Sequence, residues 1–210
     1  MNLIELKDKL EKRLMLNLPG QETQRQMLIE SDKLYPFDNK VEDAIPSAVL
    51  ILLFEQDDGI HFALTERTHT VDHHRGQISL PGGVQEDGED LSFTAKRETH
   101  EEIGLNPEEI DIIGKLSSLF VIVTGFNIQP YIGKYNSTFE PILAPNEVAS
   151  VFSVPIQDLI NDNNMKIEER IIRGYDVNVP YFHFNKHKVW GATAMILSEF
   201  KTVLKEVYDA

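Results

Sequence analysis

Between Gly82 and Leu105 the chain reads GGVQEDGEDLSFTAKRETHEEIGL, which gathers a glycine pair, Glu89, Arg97 and the carboxylates of Glu98, Glu101 and Glu102 into one short segment. Acidic side chains three and four residues apart are neighbours on a helix, where like charges repel by roughly a few tenths of a kcal/mol per exposed pair. If partly buried, such carboxyls are driven toward their protonated forms. A hard divalent cation removes the conflict. Mg²⁺ takes oxygen ligands, keeps several waters and bridges a few carboxylates to a substrate's phosphates, which suits a short glutamate cluster better than an all-protein cage. The plain alternative is a solvated helix face, the commonest use of such residues.

One helix must position these groups. Leu91 to Ile103 has helical patterning, Asp90 stands where an N-cap belongs, and Gly104 falls where a left-handed residue ends a helix. At roughly 100° per residue, Leu91, Ala95, Thr99 and Ile103 share one side and Glu98, Glu101 and Glu102 cluster beside it. Glu102 points almost along the apolar stripe.

The wider spacing favours the functional reading. Gly83, five residues, Glu89, seven residues, Arg97-Glu98-Thr99, one residue, Glu101-Glu102, one residue, Gly104-Leu105 resembles the Nudix hydrolase signature, G-x5-E-x7-R-E-U-x-E-E-x-G-U with U bulky and apolar. Thr99 alone departs from it. A threonine there needs a partner for its hydroxyl, such as a main-chain carbonyl one turn back. The resemblance implies the α/β fold of that family, an α/β/α sandwich with a mixed β-sheet, here carrying N- and C-terminal helical extensions. It also implies Mg²⁺ or Mn²⁺ held by Glu98, Glu101 and Glu102, with the main-chain carbonyl of Gly82 as a further ligand. Arg97 is expected to pair with Glu89 or Glu98 and fix the loop, not to touch phosphate.

The segment from Ala63, ALTERTHTVDHHRGQISLPGG, resembles the extra signature of the coenzyme A pyrophosphatase branch through Leu64, Thr65, Arg67, Gly76, Pro81, Gly82 and Gly83. Thr68, Asp72 and Leu80 depart from it, and Asp72 puts an anion where the branch has an arginine; Arg75, three residues on, is positioned to substitute. Arg67 carries a fork suited to bidentate phosphate binding, and its place in this signature points to the 3′-phosphate of coenzyme A. Its bland alternative is a surface ion pair with Glu66 or Asp72. His73 and His74 read as exposed, since Mg²⁺ prefers oxygen. The later NEVASVFSVPIQDLI also resembles this branch and makes Glu147 a candidate for a carboxylate from outside the box. Either a box glutamate or Glu147 is then the general base. The reaction implied is hydrolysis of the pyrophosphate of coenzyme A or its derivatives. ADP-ribose, NADH or dinucleoside polyphosphates are the alternative substrates, and a non-catalytic nucleotide-sensing module is the other function class.

The remaining sequence reads as scaffold. With 210 residues, 41% apolar and 26% charged, the chain is expected to form one domain, residues 47–210 being the core and 1–46 an extension. A net charge of −14 opposes binding to a nucleic acid backbone, and no segment has the length of apolar sequence that a membrane span needs. Zero cysteines and an N-terminus charged from residue 5 lead to an expected cytoplasmic location. Leu3, Leu6, Leu10 and Leu14 mark an amphipathic helix over the first 16 residues, packing on the chain's own core or on a second subunit of a homodimer. Residues 19–46 read as loop. Strands are expected over Ser47–Phe54, Ile60–Thr65, Ile110–Leu116, Leu119–Thr124 and Ile128–Ile132, then to Arg170 and over Val177–Phe184. A final helix is expected over Gly191–Tyr208, with Trp190 packing against it.

Overall fold

The computed structural model describes residues 1–30, 40–68 and 77–209. Its centre is strand β1, Ile45–Gln56, whose side chains serve two cores at once. Ala48, Leu50, Leu52 and Phe54 belong to one cluster, while Ile51 and Leu53 point into the other. A near-continuous apolar run with burial on both faces is what a central strand between two layers requires. β1 runs parallel to β7, Phe126–Tyr135, and antiparallel to β2, Gly59–Arg67, and to the short β4, Gly82–Val84, so the sheet is mixed. Its main path continues through β3, Ile78–Ser79, beyond β2 and through β5, Ile110–Lys115, beyond β7. β6, Leu119–Val121, pairs with β7, and β8, Val148–Pro155, with β2.

Helix α1, Leu3–Leu14, and the C-terminal α5, Gly191–Asp209, cover one face. α3, Leu91–Ile103, covers the other. The result is the expected α/β/α sandwich. Leu3, Leu6 and Leu10 are buried in the chain's own core, so the stripe of α1 is already covered within the molecule. The loop expected over 19–46 holds a one-turn helix α2, Gln21–Gln24, and 3₁₀ turns at Arg25–Met27 and Val41–Asp43, too short to show a helical period in the sequence. α2 packs because buried Glu199 of α5 accepts the Gly20 N–H, the Ser117 N–H and the Gln24 side-chain amide.

After β8 comes the one-turn α4, Ile156–Ile160, opened by Pro155, and then a separate three-stranded antiparallel sheet. It consists of β9, Met165–Ile172, β10, Tyr175–Phe184, and β11, His187–Trp190. The sequence marks the first two strands but not β11, which is four residues long and ends at Trp190, directly before α5. The strand expected over Leu119–Thr124 stops at Val121, because the Thr124 and Gly125 N–H groups both turn back to the Val121 carbonyl. Phe182, Phe184 and Val189 of this second sheet share the core of α5. Among the described residues no helix is long and apolar enough to cross a membrane.

Candidate active site

α3 forms with the predicted boundaries. The Asp90 carboxylate accepts the N–H groups of Ser92 and Phe93 at 2.9 and 3.0 Å, and Gly104 closes the other end at φ 70°. Ala95, Thr99 and Ile103 face the core. The hydroxyl of Thr99 donates to the carbonyl of Ala95 at 2.7 Å, which answers the polar group at an otherwise apolar position.

Arg97 ties the preceding loop to the helix. Its guanidinium donates to Glu89 at 2.7 Å, to Glu98 and Glu101 at 2.8 Å each, and to the Val84 carbonyl at 3.0 Å. Both expected partners are taken, and two more besides. Glu89 also accepts the Thr94 hydroxyl at 2.8 Å. Arg97 above all, with Thr94, holds the Glu89 carboxyl down at about 2.

Glu98, while bonded to Arg97, and Glu102 line a cavity of about 880 Å³. Gly83 makes room for Glu98: a Cβ at that position would lie 2.5 Å from the carboxylate carbon. Burial pushes the Glu98 carboxyl up, with Arg97 opposing. Glu102 is only 4% exposed, and its Oε2 has no hydrogen-bond partner among the described residues. Burial raises its carboxyl to about 8, against the pull of Arg67 and the Gly82 N–H. Gly82 itself sits at φ 154° with its α-carbon packed on β1, where a Cβ would come within 2.3 Å of the Ala48 carbonyl oxygen.

Arg67 ends β2 at a register shift against β8, and its Nη1 lies 3.9 Å from Glu102 Oε1. Its neighbour Glu66 accepts the Ser150 hydroxyl instead. The adjoining Thr68 N–H donates to the Glu147 carbonyl at 3.0 Å, bringing the loop before β8 to the same cavity wall. Tertiary pairing therefore gathers Arg67, Gly82, Gly83, Glu98, Glu102 and Glu147 around one cavity. Glu101 and Arg97, bonded to each other at 2.8 Å, are not among the residues lining it, and among the described residues no three His, Asp or Glu side chains converge to metal-ligating distance. Arg75, His73 and His74 lie outside the described residues.

Sequence reasoning missed the opposite wall, where Val121, Val123, Phe126 and Ile128 meet Ile172 and Trp190. Trp190 does not simply pack on the last helix. It joins a small cluster with Ile29, Val177 and Val179, lies under the Arg170 guanidinium and lines the cavity. Its isolation as the one tryptophan was the available signal.

Three kinds of similarity agree with this geometry. Residues 44–174 match the NUDIX domain. The chain is 38% identical over 168 residues to "Nudix hydrolase 15, mitochondrial" of Arabidopsis thaliana, covering 76% of this chain but 59% of that protein. It is 32% identical over 179 residues to "Nudix hydrolase 3" of Caenorhabditis elegans, covering 77% of this chain and 74% of the relative. It thus spans less than two thirds of the plant protein's length. A MutT/nudix family protein from Enterococcus faecalis superposes with a TM-score of 0.51 at 16% identity, over 100% of this chain and 75% of that one, which speaks for the fold alone. With more than half its length matched by the domain and the glycine, arginine and glutamate positions of the box assembled around one loop and helix, the chain belongs to the Nudix family.

Proposed function

We propose that this chain is a metal-dependent pyrophosphatase that splits coenzyme A or its derivatives into 3′,5′-ADP and 4′-phosphopantetheine. The observation that carries the pyrophosphatase reading is Glu102, a buried carboxyl with one unpartnered oxygen at the edge of a cavity, beside Glu98 and an arginine. The donors fit Mg²⁺ or Mn²⁺: Glu98, Glu102 and the Gly82 carbonyl offer oxygen only, and Oε2 of Glu102 lacks the partner that a buried acceptor needs. Glu101 is the third carboxylate of the box, and Arg97 releases it to the cluster by keeping its bonds to Glu89 and Val84. When bound, such an ion makes a water more acidic and offsets charge on the phosphate oxygens.

The chain's own residues do the rest. Arg97 orients the loop. Gly83 lets the Glu98 carboxylate approach the cavity floor. Glu147, in the loop before β8, is the base that takes the proton of the attacking water, a role that needs a carboxylate not engaged by Arg97. Arg67, beside Glu102, holds the pyrophosphate itself. The substrate is a small anion, for which the cleft of a chain of net charge −14 supplies Arg67 as a local cation. The choice of coenzyme A is supported by the signature that supplies Arg67 and by the position of Glu147 beside it.

The test is product analysis by mass spectrometry with coenzyme A, ADP-ribose and NADH offered separately, each with Mg²⁺ and with Mn²⁺. Release of 3′,5′-ADP and 4′-phosphopantetheine is expected. Turnover of ADP-ribose or NADH alone would reassign the substrate, and no turnover of any would leave a binding module.

A further inference from the structure

In the second sheet β9 pairs with β10 alone, so among the described residues the backbone groups along its other side have no strand to bond. A row of unpaired N–H and C=O groups is a template for another strand, and proteins blunt such edges with bulges, prolines, brevity or charge. β9 has no bulge and no proline, and it keeps unbroken register with β10 over the eight residues Met165–Ile172. Its charges cancel, Lys166 and Arg170 against Glu168 and Glu169, in a chain that is otherwise strongly acidic. Alternation sets Met165, Ile167, Glu169 and Ile171 on one face. Ile167 is 69% exposed and Ile171 75%. Phe182 and Pro180, their neighbours on β10 opposite Met165 and Ile167, are buried. The exposed apolar surface is therefore a row along the edge, within reach of a strand laid beside it. The stripe of α1, by contrast, is covered within the molecule.

The strand that fits this edge is β9 itself. Two copies related by a two-fold axis pair antiparallel, and opposite residues share a face, so the axis passes through one residue. With the axis at Glu169, residues 166–172 of both copies overlap. Ile167 then stands opposite Ile171 of the second copy, and Glu168 opposite Arg170 of the second copy, each pair occurring twice. Glu168 already holds Arg170 and Lys188 within its own chain, so the two-fold closes a ring of alternating charge. Other registers are poorer. An axis at Glu168 sets Lys166 against Arg170 and Glu168 against its copy, one at Arg170 opposes two arginines, and one at Ile167 overlaps only residues 165–169 of the strand. The favoured register has one cost, Glu169 opposite its copy, at an exposed position where water screens it.

We propose that the outer edge of β9 is a self-association surface, on which two copies of this chain pair about Glu169 and join their second sheets into one. The net charge of −14 opposes association at long range. At 0.15 M salt, however, the screening length is about 8 Å, and the strands that meet are themselves balanced. A strand pair is a small interface, under about 1,200 Å² in all, so association in the micromolar range is expected.

The chain has no cysteine, so a single introduced thiol reports the register. Glu169→Cys in the full chain sets two thiols directly opposite, their β-carbons about 5 Å apart and within reach of a disulfide. Ile171→Cys leaves its two thiols four residues apart along the strand pair, roughly 14 Å. Under mild oxidation Glu169→Cys should link into a dimer on a non-reducing gel ~10-fold faster than Ile171→Cys, or more. Sedimentation velocity of the parent should show monomer passing to dimer as concentration rises through the micromolar range. Ile167→Lys/Ile171→Lys should weaken that association ~10-fold or more and keep the parental melting temperature, since both positions are exposed. A parent that stays monomeric throughout overturns the proposal and leaves the edge to a strand of another protein. A dimer that the lysine variant does not weaken overturns it by placing the interface elsewhere, and equal linking rates for the two cysteine variants overturn the register. If the lysine variant fails to fold, the ratio of linking rates decides alone.

Discussion

Glu102 joins two conflicting demands in one side chain: its helix position places it with the core, and its proposed chemistry needs it ionised. A carboxyl whose folded value is raised from 4.5 to about 8 binds more protons folded than unfolded. Without metal, stability should therefore fall as pH rises from about 4.5 through about 8. Glu102→Gln should remove that slope, seen as a metal-free melting temperature above that of the parent at pH 9. It should also lower kcat by several powers of ten, the scale expected when a metal-activated water is lost. Near-parental activity would show that Glu102 holds no ion. Arg67 gives a second test. Seated 3.9 Å from Glu102, it serves the scissile pyrophosphate in our reading and not the remote 3′-phosphate to which its signature pointed. Arg67→Ala should cost about 1.5–3 kcal/mol of transition-state binding and do so equally on coenzyme A and on 3′-dephospho-coenzyme A. A loss confined to coenzyme A would return Arg67 to the 3′-phosphate.

At the scale of elements, α5 is the part on which the others converge. Its Glu199 holds α2 and the residues after β5, and its Lys201 and Lys205 both reach Asp162 in the turn before β9, at 2.9 and 2.7 Å. Lys205 first and Lys201 second hold the Asp162 carboxyl down at about 2. A depressed carboxyl contributes stability that is present above its unfolded value of 3.8 and disappears as pH falls through about 2. Asp162 is 76% exposed, so solvent screens the pair, and Asp162→Asn should cost about 1 kcal/mol near neutrality. Urea unfolding of parent and variant at pH 7 and pH 2 checks this, since the difference should shrink toward zero at the lower pH. A constant difference would assign the effect to packing of Lys201 over Phe182.

For the whole molecule, the acidic balance makes metal and stability one question. Glu98 and Glu147 raise the cost of ionising Glu102, and Glu101 and Glu147 that of Glu98, so millimolar Mg²⁺ should lift the melting temperature by mass action on the folded state. A Glu98→Gln/Glu102→Gln double variant should respond much less. An undiminished rise in that variant would place the ions elsewhere on the surface.

How much of this was legible in the sequence follows the range of the forces involved. α3, its Asp90 cap, its Gly104 stop and the hydroxyl partner of Thr99 rest on contacts within five residues, so local periodicity determined them. The two-faced burial of β1 was legible as a long apolar run, since the residues themselves must satisfy both layers. The place of Trp190 in the cavity wall depends on partners far along the chain, Ile29 and Val121 among them, and no short-range pattern encodes it, whereas β11 pairs with β10 across a short hairpin and is too brief at four residues to show an alternation. The division among the carboxylates was also a tertiary decision. Helical spacing set Glu98, Glu101 and Glu102 side by side, but the packing of the loop and sheet on α3 left Glu98 and Glu102 lining the cavity and Glu101 outside its lining, and the β2 register shift brought Arg67 against Glu102. Residue types and spacing named the groups able to do the chemistry. Only strand pairing, which sets residues 63–68 beside residues 146–155, decided which of them share a cavity.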